Sequence, residues 1–257
     1  HLAATAASRR ALSGLLFAAV PPLLAFLALT ASGSGDSGVN VFMYLGVLVL
    51  LQVVAPALGV FLGIGAIADE TEARTVTYPF TRPIPRASVF LGRWLASLLV
   101  LTTLLLASGA GMAAITLRAS DPPSMDAVRG LLSATLIAGV LYSLGAAVIG
   151  VIFKRGQVIA LGYAFAFEVM LANIPGSAQK LSLQYYLRSL FVGSENADWR
   201  SLAVFQKSEF LTTADSAERL LATTVILLET FFIVTRRDSP SHMMTPPTGI
   251  TQTISYD

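Results

Sequence analysis

Apolar residues run along this chain in long unbroken blocks. They show neither the alternation of a half-buried strand nor the three-and-four spacing of a surface helix. From Ala11 to Ala68 the only charge is Asp36. That block is too long for one membrane crossing, which takes about 20 residues. Its middle reads ASGSGDSGVN, a cluster of turn formers, and predicts a hairpin over Ser32 to Asn40. The first helix is then Ala11 to Ala31 and the second Val41 to Ala68. Trp94 to Leu117 and Leu131 to Phe153 carry no charge and give the third and fourth. Val158 to Ile174, with Glu168 inside it, gives the fifth. Leu220 to Val234, with Glu229 inside it, is short for a span. The pattern Asp215-x-x-Glu218 starts the sixth helix earlier, as a capping box. The expected fold is an all-α integral membrane protein of six transmembrane helices in one domain, 1–237. Its spans are about 11–31, 41–68, 94–117, 131–153, 158–174 and 215–234. The polar, Pro-containing segment 238–257 is expected to be a flexible cytoplasmic tail.

Composition narrows the class. Of 257 residues, 54% are hydrophobic and 12% charged, about half the ~25% charged share of a soluble domain. A water-exposed surface cannot be built from so few charges, and disorder is excluded by the apolar content. There is no cysteine, and histidine occurs only as His1 and His242. Thiolate chemistry and interior imidazole ligands are thereby removed, so no metal or catalytic site is expected. A net charge of +2 gives no case for nucleic acid. Gly33-Ser34-Gly35-Asp36 spells a membrane aspartyl protease motif. Asp36 sits in the hairpin, however, with no second membrane aspartate to face it.

Orientation follows from Lys and Arg. With the N-terminus inside, ten of the seventeen basic residues are cytoplasmic: Arg9, Arg10, Arg74, Arg82, Arg86, Arg93, Lys154, Arg155, Arg236 and Arg237. The short outside loops hold only Arg118 and Arg129, as the positive-inside rule requires. Both termini are expected in the cytoplasm. No repeat relates the two halves, which argues against inverted-repeat transporters.

The segment between the second and third helices, Ala68 to Trp94, reads ADETEARTVTYPFTRPIPRASVFLGRW. Three acids open it, and acids suit the positive N-terminal turn of a helix. Asp69 to Tyr78 is therefore predicted as a short helix along the cytoplasmic face. Pro79, Pro83 and Pro85 end it and reverse the chain. Such an element can press on a soluble partner. A solvated loop whose arginines only anchor topology fits the same spacing equally well.

These residues resemble the signature of ABC-2 type transporter permeases, the six-helix exporter type of ABC transporter transmembrane subunit. The matching positions are Glu70, Glu72, Thr75, Thr81, Arg82, Pro83, Ile84, Pro85, Arg86, Leu91, Gly92 and Arg93. A second match joins Glu168, Ile174-Pro175-Gly176 and the run LSLQYYLRSL from Leu181 to Leu190. The resemblance implies that two permease copies, identical or closely homologous, pair in a bacterial-type cytoplasmic membrane above two ATPase subunits. ATP and Mg then belong to the ATPase, and the permease binds no cofactor itself. It also implies a coupling helix between the second and third spans, with Glu70, Glu72, Arg74, Thr75, Tyr78, Arg82, Pro83 and Arg86 at the ATPase contact. Short extracytoplasmic helices are implied between the fifth and sixth spans. The chain has no G-x-x-x-x-G-K-[ST] phosphate loop of its own. His1 to Arg10 supplies only part of the amphipathic helix that the family often carries before the first span.

Polar residues within the spans are the remaining candidates. A carboxylate at mid-membrane costs about 2.5–3.5 kcal/mol on insertion scales and so faces protein or water. Glu168 is expected to fasten the fifth helix to its neighbours or to couple their movement. Glu229 is expected to snorkel or to pair with a basic residue. Gln52 lies beside Pro56, and Pro21-Pro22 interrupts the first helix; each proline removes a backbone hydrogen bond. Gly59-x-x-x-Gly63, and Gly139, Ser143 and Ala147, place small residues at four-residue spacing and allow helices to approach closely, at a dimer seam or within the chain. Leu181 to Phe191 is expected to lie along the outer interface. The leading expectation is the permease subunit of an ATP-driven exporter. The alternatives are a secondary transporter or channel using Glu168 and Glu229, and a membrane scaffold without transport.

Overall fold

The computed structural model describes residues 2–31, 37–72, 86–153, 155–168, 170–171, 177–192 and 213–237. These residues are helical apart from short turns. The helices are α1 (Leu2–Ala31), α2 (Gly38–Tyr44), α3 (Ala55–Glu72), α4 (Arg86–Thr116), α5 (Met125–Ile152), α6 (Gly156–Gly162), α7 (Leu183–Val192) and α8 (Thr213–Arg237). A π-helical stretch, Leu45–Val54, joins α2 to α3 in one rod. A second, Tyr163–Glu168, prolongs α6, and a 3₁₀ turn, Ser177–Leu181, leads to α7.

Among the described residues, four helices are long and apolar enough to cross a membrane: Leu12–Ala31, Gly38–Gly65, Leu91–Thr116 and Met125–Ile152. They fall where the first four apolar blocks predicted them, but the helices extend further than the blocks do. α5 begins six residues before Leu131 because Ser124 caps it, its side chain accepting from the Ala127 N–H at 3.1 Å. The first turn then carries Asp126, which pairs with Arg129 at 3.3 Å. An apolar block marks the hydrocarbon-facing part of a helix, whereas the helix runs on to its cap. α8 likewise starts at Thr213, which puts Asp215 inside its first turn. Pro21 and Pro22 lie within a continuous α1.

Contacts across the helices fix their directions. Gly46 meets Leu131, Gly59 meets Tyr142 and Gly150 meets Ile64, so the second rod and α5 run parallel. Gly109 meets Leu132 and Gly139 meets Leu105, so α4 runs against α5. Gly14 meets Leu104 and Gly111 meets Pro22, so α1 runs with α4. One end of the bundle therefore gathers Glu72, Arg86 and Arg155, and the other gathers Arg118 and Arg129.

The second rod and α5 form the interior. Of the most apolar part of each helix, 72% is buried in Gly38–Gly65 and 56% in α5, against 33% in α4 and 22% in α1. The reason is the small-residue pattern. A side chain at Gly59 would meet the Tyr142 Cβ at 2.7 Å, and one at Gly63 would run into the Ser143 carbonyl oxygen, with its Cα at 2.9 Å. The two backbones are nearly in contact, which only glycine allows. The Gly59-x-x-x-Gly63 face is thus occupied within the chain. Gly139 faces Leu101 and Leu105 instead, and Ala147 packs with Trp94, Leu144 and Phe231.

The outward faces carry large apolar side chains, among them Leu12, Leu99, Val158 and Leu221, each about two-thirds exposed. A contiguous apolar exterior of this kind suits lipid, not water.

Gly63→Val should force the second rod away from α5 and cost about 1–3 kcal/mol, the usual range for overpacking. The control is Gly162→Ala, whose new Cβ has nothing within 4 Å. Melting of the purified protein in detergent should fall by several degrees for the first and stay unchanged for the second.

Candidate functional site

The site is built around Glu168. It lies at the end of the π turn that prolongs α6, and it is fully buried. A carboxyl group in such a place must have its lone pairs met by donors. Three converge on it. The Tyr163 hydroxyl donates to Oε1 at 2.7 Å. The Ser182 hydroxyl donates to Oε2 at 2.8 Å, and the Gln184 N–H reaches Oε2 at 3.3 Å. That same N–H also reaches the Ser182 Oγ at 3.1 Å. Ser182 and Gln184 stand at the entry to α7, so the carboxyl group fastens α7 to the π turn that prolongs α6.

Gln184 then reaches across the bundle. Its Nε2 donates to the Leu51 carbonyl oxygen at 2.9 Å and to the Tyr142 hydroxyl at 2.9 Å. The first bond has a cause in the sequence. In the π-helical stretch each N–H bonds five residues back, as the Ala55 N–H does to the Leu50 carbonyl. The next donor in that register would be residue 56, which is Pro56 and has no N–H. The Leu51 carbonyl is left without its helical partner, and the Gln184 amide supplies the hydrogen. Four elements meet here: the second rod at Leu51, α5 at Tyr142, the π turn at Glu168 and the start of α7.

The consequence for α7 differs from expectation. Leu181 to Phe191 was expected along the outer interface. Instead α7 is enclosed: Gln184, Tyr185, Leu187, Arg188, Ser189 and Phe191 are all buried. Phe191 packs edge-on against Phe42 of α2, with ring centroids 6.5 Å apart. From Leu51 to Phe42 the second rod climbs toward the Arg118 end, so α7 rises in the same direction and starts inside the bundle. A surface-lying helix would keep one face in water. α7 does not, because Gln184 is bonded inward and the Ser189 hydroxyl donates to the Tyr185 carbonyl at 2.9 Å.

The other residues named from sequence fall in several places. Gln52 is buried in the π stretch, next to Leu51. Glu229 is exposed on α8, so the structure does not bring it to Glu168. Glu70 and Glu72 end α3, and Arg86 begins α4, at the same end of the bundle. The rod continues through the start of the expected Asp69–Tyr78 helix as far as Glu72. Arg74, Thr75, Tyr78, Arg82 and Pro83 lie outside the described residues, as does the tail 238–257. Tyr142, Tyr163, Ser182 and Gln184 were not singled out. Ser182 and Gln184 sit in the run quoted with Glu168, and Pro56 was the available sign that a carbonyl near Leu51 needed an outside donor. No three His, Cys, Asp or Glu residues gather to hold a metal among the described residues.

A helical bundle with four apolar spans, cross-linked by a polar knot, is a multi-pass membrane protein. The chain belongs to the family described as "ABC-2 family transporter protein", whose match covers residues 15–187 and so includes Glu168, Ser182 and Gln184. No curated protein and no solved structure matches the chain.

Two measurements check the knot. Glu168→Leu takes the carboxylate acceptor from the Tyr163 and Ser182 hydroxyls, and should cost about 1–3 kcal/mol for each hydroxyl left without a partner. A denaturant titration in detergent reads it. Gln184→Leu should cost about 1 kcal/mol more in the native background than in Pro56→Ala, where alanine restores a backbone donor. Equal costs in both backgrounds would mean that the proline does not create the need for Gln184.

Proposed function

We propose that this chain is the permease subunit of an ATP-driven exporter, working as a pair of copies above two separate ATPase subunits. The observation that carries the reading is family membership over residues 15–187, joined to four apolar spans. In this reading there are six spans: the broken helix from Gly156 through α7 is the fifth and α8 the sixth. The end of the bundle that gathers Arg86 and Arg155 faces the cytoplasm, by the positive-inside rule, and both termini lie there. Residues 73–85 form the coupling segment that enters the ATPase.

The mechanism uses the rod and the knot. ATP closes the ATPases and pushes the coupling segments. The push enters at Glu72 and passes along the second rod, about 30 Å from Glu72 to Leu51. The Leu51 carbonyl then shifts Gln184, and with it α7. Glu168 makes the fifth helix follow, so the half of the bundle toward Arg118 opens as the coupling end closes. The residues assigned to the ATPase contact are Glu70, Glu72, Arg74, Thr75, Tyr78, Arg82, Pro83 and Arg86. Nothing in the spans selects a cargo.

The test is co-expression with the ATPase encoded beside this chain, followed by affinity purification and transport in vesicles. Co-purification and ATP-dependent flux are expected; a permease that purifies alone, or flux without ATP, overturns the reading. Gln184→Leu should leave ATP hydrolysis in place and lower flux about tenfold, the scale of a lost coupling of 1–3 kcal/mol.

A further inference from the structure

A cavity of about 530 Å³ opens beside the knot, between α5, the fifth helix, α7 and α8. Its volume is in the ~300–1,000 Å³ range of small-ligand sites. The two ends differ in chemistry. Leu141, Ala146, Ile149, Ala160 and Leu227 make the walls apolar. Lys180 and Arg219 stand at the other end, both exposed. One side chain, Tyr186, touches both segments that carry them. The Tyr186 hydroxyl donates to the Lys180 carbonyl at 2.7 Å, and the Arg219 guanidinium lies over the Tyr186 ring, 5.8 Å from its centroid. The ion pair recorded among the described residues, Arg129 with Asp126, is elsewhere.

The cavity is oriented along the helices. Phe231 packs beside Leu144 and Val148, and Arg219 is twelve residues earlier on α8, about 18 Å along the axis. The cations therefore mark one end of the slot and the apolar walls continue toward the other. On α5 the lining runs from Leu141 to Ile149, about 12 Å. Two cations at the head of an apolar slot parallel to the spans match a molecule with an anionic head and a hydrocarbon chain. A soluble anion would leave the apolar slot empty, and a neutral lipid would bring no anion to the two cations. Basic pockets between membrane helices recognise anionic headgroups on these grounds.

We propose that this cavity is a binding site for an anionic lipid, with the headgroup held by Lys180 and Arg219 and one acyl chain lying along α5 as far as Ile149. The proposal does not rest on the ATP-coupled reading, since binding is read without nucleotide or ATPase. Gly145 offers the steric test, because it lines the slot and a Cβ there meets nothing within 4 Å.

The experiment is native mass spectrometry of the full chain in detergent. It is titrated with phosphatidylglycerol, with phosphatidylcholine of the same acyl chains, and with glycerol 3-phosphate as the bare headgroup. Phosphatidylglycerol should bind about tenfold or more tightly than phosphatidylcholine, from two nearby cations, and glycerol 3-phosphate should not bind. Lys180→Gln with Arg219→Gln should abolish the preference. Gly145→Phe should abolish retention of phosphatidylglycerol, with the melting temperature unchanged. Equal binding of the two lipids, equal binding of the bare headgroup, or a preference that survives the charge variant would each overturn the proposal. The charge variant changes only exposed positions, so it remains decisive if Gly145→Phe does not fold.

Discussion

A peptide carbonyl inside an apolar bundle has to find a donor, and much of this architecture follows from how one carbonyl does. Pro56 cannot supply the N–H that the π-helical register would give to Leu51, and Gln184 supplies one from a different part of the chain. Once the Gln184 side chain is committed to Leu51 and Tyr142, its main chain is fixed as well, and that main chain closes on Glu168. In water each of these bonds would be exchanged for solvent at little net cost. In an apolar interior the alternative to each bond is an unmet polar group, so the bonds are maintained as a set. The start of α7 is held inside the bundle as a result.

Around the knot, stability comes from shape. The second rod and α5 touch through Gly59, Gly63 and Ser143 at backbone distance, and such contacts replace the hydrophobic driving force that lipid does not provide between helices. The two central helices thereby act as a stiff pair. α1 and α4 flank that pair and turn most of their apolar side chains outward. In the proposed mechanism, that rigidity carries a small displacement from one end of the rod to Leu51.

Much of this was legible in the residues, and the rest was hidden for identifiable reasons. The first four spans show as apolar blocks because crossing a membrane imposes a length on the sequence itself. Their ends do not, since Ser124 caps α5 seven residues before the apolar block begins. Glu168 shows because an acid in an apolar run has to be explained. Its partners were hidden: Ser182 and Gln184 lie 14 and 16 residues on, in a separate element. Leu51 takes part through its main chain, which leaves no mark on residue type. α7 was read as interfacial because it mixes Gln, Tyr and Arg with Leu. A mixed helix can equally be buried when its polar groups are met from within, as the Gln184 Nε2 and the Ser189 hydroxyl are.

The π-helical stretch has a geometric consequence for the length of the chain itself. Each residue of an α-helix turns the rod by about 100°, so a widened segment sets the phase between the face below it and the face above it. Phe42 looks toward Phe191, and Gly59 and Gly63 look toward α5, only while the residues of 45–54 keep their present number. Losing one of them with the widened geometry kept would swing one half of the rod by about a quarter of a turn against the other. Substitutions in this stretch alter a surface; a single insertion or deletion would alter which helices the rod can pack against.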